Sequence, residues 1–163
     1  MANEEAIKAE LTGKFPFLAD KIVIKRERRL FADVPQDRFR EVFEHAARKM
    51  DFVHLCIITG LDDGDNLLFI YHMAKLDGTV LNLKTTAPKS NPAIKTITDI
   101  FPGGVIYERE LVDLLGAKVE GLPPGKRYPL PDDWPPNQYP LRKDWKPEML
   151  EGKDGRKEEV KNG

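Results

Sequence analysis

The stretch "NLLFIYHMAKLDGTVLNLKTT", residues 66–86, decides how the rest of the chain is read. Two strand-like apolar runs flank Asp77-Gly78, a dipeptide suited to a tight type I′ turn, and Pro88 closes the second run. Such a hairpin needs neighbours, because two strands alone are marginal in water. Immediately upstream, "FVHLCII" (52–58) is apolar at nearly every position, which predicts a central strand covered on both faces. Further upstream, "KIVIKRERRLFADV" (21–34) reads as two strands around Arg26-Glu27, charged enough to lie near a sheet edge.

Helical signals lie between and outside these strands. Asn3 is placed to cap a short helix with Glu4 and Glu5 in its first turn, and Gly13 to stop it. Pro35 suits the first position of a second helix, whose apolar stripe is Phe39, Val42, Phe43, Ala46 and Met50. Asn91-Pro92 reads as the start of a third, carrying Ile94, Ile97, Ile100 and Phe101. Pro102-Gly103-Gly104 breaks that run, and "VIYERELVDLLG" (105–116) follows as a last helix stopped by Gly116. Strands that follow one another through short turns predict an α+β fold, a mostly antiparallel sheet with helices packed on it. Residues 1–117 form this domain in the prediction.

Composition changes after Gly116. Eight of the 13 prolines lie between Lys118 and Pro147, so residues 118–147 are predicted to be an extended proline-rich segment. Residues 148–163 read as a polar, charged tail. A loose linker would leave Trp134 and Trp145 in water; large aromatics in a prestiffened segment instead predict docking, on the chain's own domain or on a partner.

Charged residues make up 33% of the chain, against about 25% in typical domains. With 26 basic and 27 acidic residues the net charge is −1, so no global field favours a polyanion. Basic residues near Arg26 and Arg29 are the one place where a nucleic-acid reading has purchase. The excess of Glu, Lys and Arg points to a thermophilic source. "MANEEAIKAE" has no apolar signal-peptide core, and the longest apolar run, Leu67 to Tyr71, is far short of a membrane span. The single cysteine, Cys56, makes no internal disulfide and cannot alone hold an iron–sulfur cluster.

Sites of chemistry are scarce. "GLPPGKRY" (121–128) has the wrong glycine spacing for a phosphate loop, Arg127 in place of a hydroxyl residue, and two prolines where donors are needed. His54 and Cys56 share a strand face, with His72 on the next strand, but their spacing is not that of a metal site. On the last helix, Val105, Val112 and Leu115 form a stripe that includes Glu108. A carboxylate there either snorkels at the core edge or meets an opposite charge, from Arg142-Lys143-Asp144 or from a partner.

Two motifs in this region carry a family resemblance. Glu108-Arg109-Glu110 with Asp113 and Gly116, then Pro140-Leu141-Arg142-Lys143-Asp144-Trp145, resemble the C subunit of NADH:quinone oxidoreductase (respiratory complex I) and its counterpart in membrane-bound [NiFe] hydrogenase-type complexes. The resemblance spans roughly residues 20–146. Two departures, "GLPPGKR" for the family's usual "GHPDLRR"-like stretch and Val105-Ile106-Tyr107 without its tryptophan, favour the hydrogenase-like, archaeal branch.

The resemblance implies a non-catalytic structural subunit of the peripheral arm of a ferredoxin-linked complex, on the cytoplasmic face of the membrane. It implies no cofactor in this chain, with iron–sulfur clusters and nickel–iron held by partners. The large hydrogenase-like subunit and adjacent iron–sulfur subunits are the implied partners. The implied partner-binding residues are Glu108, Arg109, Glu110, Asp113, Trp134, Pro140, Leu141, Arg142, Lys143, Asp144 and Trp145. Rival readings are the same subunit in a quinone- or sulfur-reducing complex, and a free-standing metal-dependent enzyme using His54, Cys56 or His72.

Overall fold

The computed structural model describes residues 2–150, so the predicted polar tail lies outside the described residues from position 151 on. Its elements run α1 (Ala2–Lys14), β1 (Ile22–Arg26), β2 (Arg29–Asp33), α2 (Gln36–Lys49), β3 (His54–Asp63), β4 (Asn66–Ala74), β5 (Val80–Pro88), β6 (Ala93–Lys95), α3 (Val105–Leu115) and β7 (Lys118–Glu120). Five strands form one sheet in the order β1-β2-β5-β4-β3. Only β2–β5 is parallel; the other three pairs are antiparallel, so the predicted α+β architecture holds.

The opening hairpin supplies the centre of this sheet. On β4, Leu67, Phe69, Tyr71 and Met73 alternate inward and are fully buried, and their partners on β5 are Ala87, Thr85, Leu83 and Leu81. The turn is longer than the two-residue form predicted. Gly78 N donates to Lys75 O and Lys75 N to Thr79 O, leaving Leu76, Asp77 and Gly78 as a three-residue loop, with Gly78 at φ +82°.

All three helices lie on the face carrying Tyr71. Phe39 and Phe43 of α2 meet the Tyr71 ring at centroid distances of 4.6 and 5.5 Å. Leu111 and Leu115 of α3 pack so closely over Gly60 that a Cβ there would lie 2.5 and 2.4 Å from them. Ile7 and Leu11 of α1 join the same core as Ile22, Leu30 and Ala32.

Several expectations are corrected. The most consequential concerns "FVHLCII": β3 is an edge strand, not a central one, and His54, Cys56 and Ile57 on it are exposed. Its register slips between Leu55 and Ile57, so Cys56 is the bulged residue and the shared face for His54 and Cys56 is lost. The helix expected from Asn91-Pro92 is absent. Ala93–Lys95 instead pairs in parallel with Lys118–Glu120, because Ile94 and Ile97 are buried as an extended run rather than as a helical stripe.

Smaller corrections follow the same logic. Asn3 lies inside α1, and its side-chain amide reaches Asp77 Oδ2 and Thr79 Oγ1 in the hairpin loop at 3.1 and 3.3 Å, so it ties α1 to the sheet rather than capping a helix. Nothing lies within 4 Å of a Cβ at Gly13, and α1 continues through it to Lys14. Pro35 sits one residue before α2. On α3 the buried line is Glu108, Leu111 and Leu115, with Val105 and Val112 only half-buried.

Candidate functional site

Most of the residues singled out on α3 and in the C-terminal segment are engaged by other groups of the same chain, and the segment crosses the C-terminal end of α3. Helix ends leave their last carbonyls without intrahelical donors. Gly116 takes φ +71°, and its N–H returns to Val112 O at 3.0 Å. Two further carbonyls are served from the segment: Leu141 N donates to Leu114 O at 3.0 Å, and Arg142 Nε to Leu115 O at 2.7 Å. A guanidinium at a helix C-terminus also complements the macrodipole. Its other face lies 4.5 Å over the Tyr139 ring, and that ring sits directly on Gly116. Residues 137–145 thus form a strap across the helix end.

The strap is clasped to the β3–β4 turn by Asp62, whose side chain is 1% exposed. Asp62 Oδ2 accepts from Lys89 Nζ at 2.6 Å and from Lys143 N at 2.9 Å, while Oδ1 accepts from Gly64 N at 3.0 Å. Lys89 also reaches Asp144 Oδ1 at 3.1 Å. Burial alone would push the Asp62 carboxyl up. The hydrogen bonds from the Lys89 ammonium and the Lys143 and Gly64 N–H groups outweigh it and hold the pKa below the ordinary carboxylate value.

A carboxyl with a lowered folded-state pKa contributes stability above its unfolded pKa and loses it as pH falls through the folded one. The clasp is therefore expected to loosen on acidification below about pH 4, the ordinary aspartate range. Asp62→Asn, which removes the charge, is expected to speed amide exchange at Lys143 by about tenfold at neutral pH. Exchange unchanged from wild type would show that the clasp does not hold the strap.

The remaining candidate residues fall into place around this strap. Asp113, 6% exposed, accepts from Arg127 Nε at 3.3 Å and from Tyr128 N at 3.0 Å. Arg109 donates to the carbonyls of Pro123, Pro124 and Lys126 at 3.3, 3.1 and 3.2 Å. These two hold the start of the proline-rich stretch against α3. Trp134 and Trp145 lie 6.1 Å apart, half-buried, and both indole N–H groups go to Gln138, one to its carbonyl and one to its side chain. Glu110 and Pro140 are half-buried, and the Leu141 side chain is exposed.

Glu108 does not meet the strap. It is fully buried, with Oε2 accepting from the Thr96 hydroxyl at 2.6 Å and Oε1 from Ile97 N at 2.7 Å. Its partners are neutral groups of the 93–101 segment, so neither the snorkelling nor the charge-paired expectation describes it. Burial, only partly offset by these hydrogen bonds, raises its pKa. The same segment is tied to α2 by Arg40, which donates to Thr96 O at 2.6 Å and pairs with Asp99.

Sequence reasoning missed Asp62 and Lys89. Asp62-Asp63-Gly64 reads only as a turn, and nothing in it marks a docking point for a segment 81 residues away. As for metal chemistry, His72 is engaged through both ring nitrogens, with Asn82 Oδ1 at 2.6 Å and Thr59 Oγ1 at 3.0 Å, while His54 and Cys56 are exposed. Among the described residues no group of three or more His, Cys, Asp or Glu is placed to hold a metal ion, and no helix is long and apolar enough to cross a membrane.

Comparison with known proteins places this architecture. The chain is 36% identical over 132 residues to the C subunit of the F(420)H(2) dehydrogenase of Methanosarcina mazei, covering 77% of this chain and 84% of that protein. It is 30% identical over 143 residues to the beta subunit of the membrane-bound hydrogenase of Pyrococcus furiosus, covering 83% and 82% respectively. Among solved structures, a chain of the membrane-bound sulfane sulfur reductase, an archaeal respiratory membrane complex, superposes with a TM-score of 0.77 at 28% identity, over 92% of this chain and 89% of that one. The profile of the "Respiratory-chain NADH dehydrogenase, 30 Kd subunit" family matches residues 32–150, and the chain belongs to that family.

Proposed function

We propose that the chain is a non-catalytic structural subunit in the peripheral arm of a membrane-bound, complex I-related oxidoreductase of the [NiFe] hydrogenase type. The observation that carries this reading is the match, over 83% of this chain and 82% of the relative, to a subunit of a membrane-bound hydrogenase. The strap supports it. The charged groups of the two signature motifs serve the chain's own packing, as Arg142, Asp144, Asp113 and Glu108 do, rather than lining a site for a reacting molecule.

In this reading the chain holds no cofactor. Iron–sulfur clusters and nickel–iron reside in the neighbours, with ferredoxin as electron donor. The chain packs on the large hydrogenase-like subunit and beside the iron–sulfur subunits, attached to the membrane only through partners, on its cytoplasmic face. A second reading places the same subunit in a sulfur-reducing complex, favoured by the sulfane sulfur reductase likeness.

The test is to solubilise native membranes gently, capture this chain and identify what accompanies it. Large and iron–sulfur subunits together with stoichiometric nickel support the first reading. The same subunits without nickel support the second. The chain emerging alone, or with stoichiometric metal of its own, overturns both.

A further inference from the structure

One face of the five-stranded sheet is left bare by every described element. Cross-strand partners share a face, so the register sorts each strand into a helix side and an open side. An antiparallel sheet with one wet face ordinarily alternates apolar inward and polar outward. Here apolar residues stand at open positions on four strands, Val23, Phe31, Ile57, Leu61, Leu68 and Ile70, while the middle strand β5 presents Asn82, Thr86 and Lys84, the last paired with Asp33 at 2.6 Å. Val23, Ile57 and Leu61 are 45%, 44% and 46% exposed. This is the pattern that made "FVHLCII" read as doubly covered; the chain covers one side only.

Polar groups at the centre of this face are already satisfied. Thr59, His72 and Asn82 form a hydrogen-bonded row across β3, β4 and β5, and Asn82 Nδ2 donates to Leu30 O at 2.7 Å. A partner that covers the row therefore strands no donor or acceptor in it. Five strands about 4.8 Å apart and roughly seven residues long give about 600 Å² of flat area, close to the ~800 Å² that one side of a standard interface buries.

Charge distinguishes the possible occupants. At the β1–β2 turn, residues 25–29 read Lys-Arg-Glu-Arg-Arg, with Arg28–Glu27 at 4.0 Å the one ion pair there among the described residues. At the diagonally opposite corner, the β3–β4 turn exposes Asp63 and Asp65. An anionic membrane or a nucleic acid lying flat on this face would be repelled at the second corner. A protein surface can match both.

Resting on the reading of the chain as part of a larger complex, we infer that the open sheet face is its seat in that complex. The surface it meets belongs to a partner subunit, apolar opposite Ile57, Leu61, Leu68 and Ile70, with carboxylates opposite Lys25, Arg26 and Arg29. The strap, on the helix side, is then not the principal contact.

The experiment purifies the membrane complex through a tag on this chain. Ile57→Glu is expected to lower the yield of partner subunits per chain by about tenfold, as for a buried apolar interface anchor, with the thermal midpoint of the isolated chain unchanged. Arg26→Glu with Arg29→Glu is expected to lower it several-fold at low salt and less at high salt. A photo-crosslinker at Leu61 is expected to join the chain to an identified partner subunit.

Partner content unaffected by Ile57→Glu overturns the seat while leaving the subunit reading intact. Wild-type chain recovered alone overturns that reading and the seat with it. Self-association of the isolated chain that Ile57→Glu abolishes, or crosslinks to lipid or nucleic acid, overturns the assignment to a partner subunit.

Discussion

Gly116→Ala is expected to release the C-terminal strap and to lower the thermal midpoint by about 4–20 °C, taking roughly 2–4 °C per kcal/mol for a chain of this size. Two costs combine. The residue holds φ +71°, which a non-glycine adopts at a penalty of about 1–2 kcal/mol. Its new Cβ would also stand 2.6 Å from carbons of the Tyr139 ring, and relieving such overpacking costs about 1–3 kcal/mol more. The ring is the movable partner. As it leaves, Arg142 loses its stacking surface and Leu115 O its donor. Limited proteolysis within residues 123–147 is expected to accelerate, with a change in Trp134 and Trp145 fluorescence. A strap as protected as wild type's would mean that Tyr139 is not seated on this glycine.

Glu108→Ala is expected to destabilise the domain by about 3–5 kcal/mol, since it strands two buried donors at about 1–3 kcal/mol each and leaves a cavity. The donors are the Thr96 hydroxyl and Ile97 N–H. Glu108→Gln keeps an acceptor for Ile97 and is expected to cost far less.

A pH series tests separately whether burial penalises the Glu108 charge. The folded-state pKa of Glu108 is raised, so between the ordinary carboxylate value and the raised one the folded state binds more protons than the unfolded. The contribution of Glu108 is complete below the unfolded pKa and falls as pH climbs through the folded one. Glutamine does not titrate, so Glu108→Gln should gain on wild type as pH rises through that window. Parallel thermal midpoints across the range would mean that burial does not penalise the charge.

The sequence made the sheet's middle readable because the hairpin's inward positions, Leu67, Phe69, Tyr71 and Met73, alternate without interruption. Helix α2 was equally readable from one clean stripe. What failed shares a physical cause. Residues 91–101 carry isoleucines at helical spacing, yet β7 lies beside them only because Gly116 turns the chain back, a non-local event that periodicity does not encode. The doubly apolar strand β3 was misplaced at the centre because a single sequence does not say whether cover comes from its own chain.

At the candidate site, the two motifs announced which residues matter but not what they touch. Arg142 faces a helix end rather than a carboxylate, and Asp62, the carboxylate that does receive the strap, lies at the end of β3 beside an unremarkable turn.

In the proposed role this chain builds the complex and carries none of its redox chemistry. The direct measurement is electron paramagnetic resonance with redox titration on purified complex carrying Gly116→Ala, normalised to the amount of the large subunit. The expected result is less assembled complex, with every cluster signal present at its wild-type midpoint potential in what does assemble. A full complement of subunits with one redox signal missing or shifted would contradict the account.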